Sequence, residues 1–298
     1  MTLLQAAPSP LPAAFDEAGV SHGPMEPNRL AGRRFDIRPA IRQKVPLLLG
    51  IAGPSGSGKT YSALRMAAGI AKVAGGDVVV IDTENRRALH YADQFAFQHI
   101  DFAPPYGPLD YLAALQTAER TQPGCIVIDS LSHEHDGEGG TLDYVTAELD
   151  RLAGADTNLQ QKLAAAAWRK PKAARRALLS GLLRVESHVI VCIRANERTR
   201  MAREAVAMEP LELGLTSVAA PEFLFELTCS VLLKAGAQGV PTWSSQLPGE
   251  CAAIKLPRQF AEVFRDRKPL EESHGEALAR WAAGETLSVT SRRRRRGS

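Results

Sequence analysis

The sequence predicts an α/β fold, a mostly parallel β-sheet flanked by helices, and three observations point to it. Short continuous apolar runs recur along the chain at 47–52, 77–81, 124–128 and 188–193. Stretches with helical spacing lie between them. Each run stops at a glycine or a charged residue, namely Gly53, Asp82, Asp129 and Arg194. A strand that is apolar at every position is buried on both faces, as in a sheet covered by helices on both sides. Strands alternating with helices imply parallel pairing through right-handed crossovers.

In chain order, 47–52 (LLLGIA) reads as the first strand, followed by a glycine-rich loop and a helix from Tyr61 to about Val73. The second strand is 77–81. Residues 101–107 contain two prolines and read as a loop, and 109–120 as a helix. The third strand is 124–128. Residues 141–185 are largely helical, with a break expected near Pro171, and 188–193 is the fourth strand. Beyond Arg194 the pattern weakens. Residues 223–234 (FLFELTCSVLLK) suggest one or two further strands, 235–239 a turn, and 260–264 and 275–283 helices.

Both ends differ from this pattern. Residues 1–44, rich in Pro, Ala and Gly, are expected to form a disordered N-terminal arm. Its second half is basic through Arg29, Arg33, Arg34, Arg38, Arg42 and Lys44. Residues 285–298 are expected to be a disordered Arg-rich tail, which leaves 45–284 as one domain. Arg292–Arg296 account for five charges of the formal +3, so the remainder of the chain stands at −2. The basic character is therefore terminal. A solvated linker and a polyanion contact both remain open for these runs.

Hydrophobic residues at 45% and charged residues at 23% are the balance of a soluble globular protein, and 298 residues can bury a core without disulfides. The four cysteines, Cys125, Cys192, Cys229 and Cys251, have no metal-ligand spacing. Their scatter suggests a reducing, cytoplasmic setting. No apolar run reaches the ~20 residues needed to span a bilayer, and no secretion signal pattern opens the chain.

The strongest chemical signal is Gly53-Pro54-Ser55-Gly56-Ser57-Gly58-Lys59-Thr60 between a buried strand and a helix. Glycines let backbone N–H groups close around phosphate oxygens, and the helix N-terminus adds partial positive charge. In this phosphate loop Lys59 is expected at the β- and γ-phosphates and the Thr60 hydroxyl on magnesium. Asp129, after four apolar strand residues, is placed to hold the same magnesium through water. Glu84, at the end of the neighbouring strand, is the expected base or orienting group for an attacking water, with Asp82 bracing the loop. Arg194 closes the fourth strand at the same edge, where it senses the γ-phosphate or makes a structural salt bridge. His133-Glu134-His135-Asp136 has metal-binding residue types without metal spacing, and reads better as a polar loop near the nucleotide. No Asn-Lys-x-Asp guanine motif occurs, so ATP is the expected nucleotide.

These segments resemble RecA-type recombinases. Ile81-Asp82-Thr83-Glu84 followed by Tyr91-Ala92 is similar to the segment carrying their catalytic glutamate. Ile128-Asp129-Ser130 is similar to their second acidic motif, and 189–194 to the strand ending in their γ-phosphate sensor. The closer resemblance is to phage-encoded, RecA-like AAA-type ATPases, including those associated with single-strand annealing. It is carried by 53–67 (GPSGSGKTYSALRMA), by 128–134 (IDSLSHE), by Trp168-Arg169-Lys170-Pro171-Lys172 and by 255–281. The resemblance implies a P-loop NTPase with a RecA-like sheet and magnesium-dependent ATP hydrolysis in DNA recombination, repair or replication. The implied partners are single-stranded DNA or a DNA-processing protein, and it leaves a homo-oligomer open. Arg194 departs from the glutamine of RecA, and long DNA-binding loops are not recognisable. Two alternatives stand beside this reading. One is a small-molecule kinase with Arg198, Arg200 and Arg203 as its lid; the other is a nucleotide switch that does not hydrolyse.

Overall fold

The structure is a computed structural model and describes residues 36–203, 208–265 and 267–285. Arg29, Arg33 and Arg34 of the basic arm and the Arg292–Arg296 run lie outside the described residues. Residues 36–41 contain no helix or strand. At Arg42 the chain already touches the domain: its guanidinium donates to the Trp281 carbonyl and lies 4.7 Å from the centre of that indole.

Among the described residues, seven strands form the sheet: β1 (Leu48–Gly53), β2 (Val78–Asp82), β3 (Gln98–Asp101), β4 (Cys125–Asp129), β5 (His188–Arg203), β6 (Met208–Ser217) and β7 (Cys229–Leu232). Six of them run in the order β3-β2-β4-β5-β1-β7 with every pair parallel. β6 pairs antiparallel with the outer half of β5. The helices are α1 (Lys59–Ala74), α2 (Pro108–Glu119), α3 (His133–Asp136), α4 (Thr141–Ala153), α5 (Thr157–Ala167), α6 (Arg169–Leu182), α7 (Pro221–Glu226), α8 (Pro248–Ala253) and α9 (Glu272–Ala282). The predicted α/β architecture is thus the one observed.

Alternating side chains of each central strand enter opposite cores. Leu49, Ile51, Val78, Val80, Val127 and Ile190 pack with α1 and α9. Leu48, Val79, Ile81, Ile126, Val189 and Val191 pack with α2, α6 and α7. Burial on both sides is why these strands read as unbroken apolar runs. The helices α1 and α9 cross backbone to backbone. A Cβ on Gly69 would lie 2.0 Å from the Glu272 carbonyl oxygen, and one on Gly275 2.1 Å from that of Met66. Arg65 clamps the same crossing, with Nε and a terminal nitrogen 3.0 and 2.5 Å from the two Glu272 oxygens.

Several elements differ from expectation. β3 was not expected, because Gln98-His99-Ile100-Asp101 is a half-exposed edge strand without an apolar run. Pro171 does not break the helical region. It occupies the first turn of α6, where an N–H has no intrahelical acceptor to lose. The breaks fall instead at Gly154–Asp156 and at Trp168, and Asp156 caps α5 by accepting from the N–H groups of Asn158 and Leu159. β5 continues past Ile193 for ten more residues as a two-stranded ribbon with β6. The first four residues of 223–234 belong to α7, opened by Pro221, and only Cys229–Leu232 is strand. α8 was not expected, and the 260–264 region is a 3₁₀ turn at Arg258–Phe260 followed by turns. Among the described residues, no helix is long and apolar enough to cross a membrane.

Candidate functional site

Parallel pairing aligns the carboxyl ends of the central strands. Asp82 stands opposite Asp129, Asp129 opposite Cys192, and Gly53 opposite Arg194. Ligands of open α/β sheets bind at this edge. A cleft of about 470 Å³ opens there, lined by the phosphate loop together with Glu84, Asp129 and Arg194. Residues far apart in sequence are therefore brought to one place.

The loop from Gly53 to Thr60 turns tightly. Gly58 has φ 95° and Gly56 φ 73°, in the left-handed region that favours glycine. Gly58 is the N-cap of the 16-residue α1, so the unpaired N–H groups of its first turn point at the cleft. Gly53 and Ser57 lie beneath the loop, and the Ser57 hydroxyl is buried without a hydrogen-bond partner. Lys59 Nζ donates to the Pro54 carbonyl at 2.8 Å, which folds the ammonium back over the loop.

Thr60 Oγ1 donates to Asp129 Oδ2 at 2.5 Å. Burial pushes the Asp129 carboxyl up to about 6; the Thr60 hydroxyl and Lys59 oppose the rise, and the charge of Glu84 adds to it. The Asp129–Ser130 peptide is cis. Asp82 faces away from the cleft chemistry. It accepts from the N–H groups of Glu84 (2.7 Å) and Ala88 (2.9 Å) and contacts His99 Nε2 at 3.2 Å, so it braces the loop carrying Glu84.

Glu84 is held in a two-point pair by Arg194, Nε at 2.9 Å and a terminal nitrogen at 2.7 Å. Burial alone would raise the Glu84 pKa; the guanidinium more than offsets it and leaves the carboxylate below its ordinary range. Arg194 is fixed in turn, since its backbone N–H donates to Ser132 Oγ at 2.8 Å.

A polar layer supports this edge. The Thr83 hydroxyl contacts the Ser130 carbonyl (3.1 Å), the Ser130 N–H (2.8 Å) and His133 Nδ1 (2.7 Å). Tyr106 stacks on His133, and the Tyr111 hydroxyl donates to the Ser130 carbonyl at 2.6 Å. Burial, then the positive charge of Arg194, lowers the His133 pKa. Glu134 is fully buried; it accepts from Arg175 Nε at 3.0 Å and from the Thr141 hydroxyl at 2.7 Å. The 133–136 segment is the short helix α3 rather than a loop, and the His133 and Glu134 side chains are engaged in these contacts. Among the described residues, no cluster of three His, Cys, Asp or Glu side chains is arranged to hold a metal ion.

A family model described as an AAA domain matches residues 46–223. The chain belongs to this AAA domain family. It therefore carries a nucleotide-binding domain of ATPase type. No curated protein matches the chain in sequence. The AAA domain match stops at Phe223, whereas the fold adds β7 beside β1 and lays α9 on α1.

The AAA domain cleft also has walls that the sequence did not single out: Tyr61, Arg87, His90 and Asn196. Tyr61 directly follows Thr60 and meets Tyr91 edge-on at 5.6 Å between ring centres. Its place next to the phosphate loop was the available signal. Arg87, His90 and Asn196 belong to no motif. Arg198, Arg200 and Arg203 lie along β5, in the ribbon it forms with β6.

Proposed function

We propose that the chain is a magnesium-dependent ATPase of RecA-like, phage type, acting in DNA recombination, repair or replication. The observation that carries the hydrolytic part is the convergence at one cleft of the glycine cradle, the Thr60–Asp129 contact and Glu84. The cradle's N–H groups and positive-φ glycines fit triphosphate oxygens. A hydroxyl touching a buried carboxylate fits a hard divalent cation, which takes oxygen ligands. Bound there, magnesium would supply charge neutralisation on the phosphates.

The chain's own residues divide the remaining work. Lys59 leaves the Pro54 carbonyl for the β- and γ-phosphates. Thr60 and Asp129 would hold the cation, with the Asp129 carboxyl in its ionised form as an oxygen ligand. Tyr61 and Tyr91 offer aromatic surface to the adenine. Arg194 exchanges the Glu84 carboxylate for γ-phosphate oxygens, and Glu84, released, orients the attacking water and accepts its proton. The DNA role rests on the resemblance of 53–67, 81–84 and 128–134 to the phage ATPases.

The deciding experiment is ATP turnover by the full chain with magnesium, with and without single-stranded DNA, beside Lys59→Ala. Turnover raised by DNA and lost in the variant supports the whole reading. Turnover raised by a metabolite acceptor instead would move the chain to the kinases. A second reading has one observation in its favour: Glu84 is occupied by Arg194. A nucleotide switch that never hydrolyses would keep that pair, bind ATP without turnover, and function unchanged as Glu84→Gln.

A further inference from the structure

The helix α6 is two-sided. Pro171, Ala174, Arg175, Leu178 and Leu182 are buried against the sheet layer. The opposite side carries Arg169, Lys172 and Arg176, all exposed. Their spacing of three and four residues sets them on one face over about 10 Å of helix. Lys170, beside them, is paired with Glu148 at 2.8 Å. Among the described residues, no carboxylate stands within ion-pair distance of Arg169, Lys172 or Arg176, and Lys172 only overhangs the Trp168 ring at 5.9 Å. The helix itself contains no acidic residue. Like charges one turn apart repel, and nothing nearby offsets them.

The buried side of the same helix reaches the site. Arg175 Nε holds Glu134 at 3.0 Å, and a terminal nitrogen stands 3.2 Å from His135 Nδ1. Both belong to α3, whose His133 contacts Thr83, the neighbour of Glu84. A ligand resting on α6 therefore bears on the element that supports the catalytic edge.

We propose that the Arg169–Lys172–Arg176 face of α6 is the docking surface for the phosphate backbone of single-stranded DNA. The charges complement a polyanion, and exposed guanidinium and ammonium groups are donors suited to phosphate oxygens. This inference rests on the DNA reading given above.

The test is fluorescence anisotropy of a labelled oligothymidine with the full chain and with the triple variant R169Q/K172Q/R176Q, titrated from about 50 to about 200 mM salt. Three lost phosphate contacts should reduce the slope of log affinity against log salt by about 2, at roughly 0.7 per contact on a single strand. ATP turnover without DNA should stay at the wild-type level, and its stimulation by DNA should fall. An unchanged slope in the variant overturns the surface while leaving the DNA reading intact. Absence of DNA binding by the wild-type chain overturns both. Binding of the wild-type chain to anionic phospholipid vesicles but not to DNA, lost in the variant, reassigns the face to a membrane surface and overturns the proposal.

Discussion

Two carboxylate–guanidinium pairs sit on successive layers of this molecule, and they differ in one respect. Glu84–Arg194 stands at the cleft, with the arginine side chain 42% exposed. Glu134–Arg175 is sealed behind it, with side chains 1% and 8% exposed. Both are close and well aligned. A pair at the cleft can be exchanged for a ligand's oxygens, because water and ligand reach it. A sealed pair has no such alternative, and losing one partner strands a charge. Similar chemistry is thus open to solvent in one place and sealed off in the other.

Exchanging Glu84 for Gln should separate the two most sharply. Turnover is expected to fall by about 10²–10⁴-fold, the usual contribution of a proton-accepting group. The melting temperature should barely move. A large loss of stability in Glu84→Gln would mean that the cleft pair, too, is a brace.

The converse exchange, Arg175→Ala, should cost about 3–5 kcal/mol of stability, because Glu134 is left buried and unpaired. For a domain of this size that lowers the melting midpoint by roughly 6–20 °C, readable by calorimetry. Turnover per folded molecule in the absence of DNA should remain within a few-fold of wild type.

Asp129 offers a smaller effect with a defined sign. Its folded-state pKa of about 6 lies above the ordinary aspartate value near 3.9. The folded protein therefore holds a proton more tightly than the unfolded chain between these pH values. The magnesium-free protein should gain stability as pH falls from above 6 towards 4, by on the order of 3 kcal/mol from this group. Denaturant midpoints of wild type and Asp129→Asn, compared across that range, isolate the contribution. No difference in pH dependence between the two would remove Asp129 as its source.

The smallest effect is expected from Arg194→Ala on stability. A partly exposed pair contributes about 0–1 kcal/mol, so urea midpoints should nearly coincide. The same variant should bind ATP more weakly, which isothermal titration reads directly.

What the sequence revealed follows the same division between local and distant. β1, β2, β4 and the first half of β5 were legible because burial on both faces leaves an unbroken apolar run. β3 and β6 were not, because an edge strand and a ribbon have solvent on at least one side and leave no such run. The phosphate loop was legible because its geometry is written in eight consecutive residues. Asp129 and Arg194 were recognisable because each stands where an apolar run stops, and Glu84 because it lies just beyond such a stop. That Glu84 and Arg194 join across 110 positions was not, since nothing near either residue specifies the other. The brace across 41 positions from Glu134 to Arg175 was hidden for the same reason. Pro171 misled because a proline reads as a break, while in a first turn it costs the helix nothing.

The unbroken course of β5 has a mechanical consequence. The strand that presents Arg194 to the cleft leaves the sheet without a gap, and its Arg194 carbonyl still accepts from the Val218 N–H at the foot of the ribbon. From Ala195 to Arg203 the ribbon extends for about 30 Å. A tilt of only about 10° at its foot would sweep the far end through roughly 5 Å. A lever of that length magnifies a small rotation beside Arg194 into a displacement as large as a side chain.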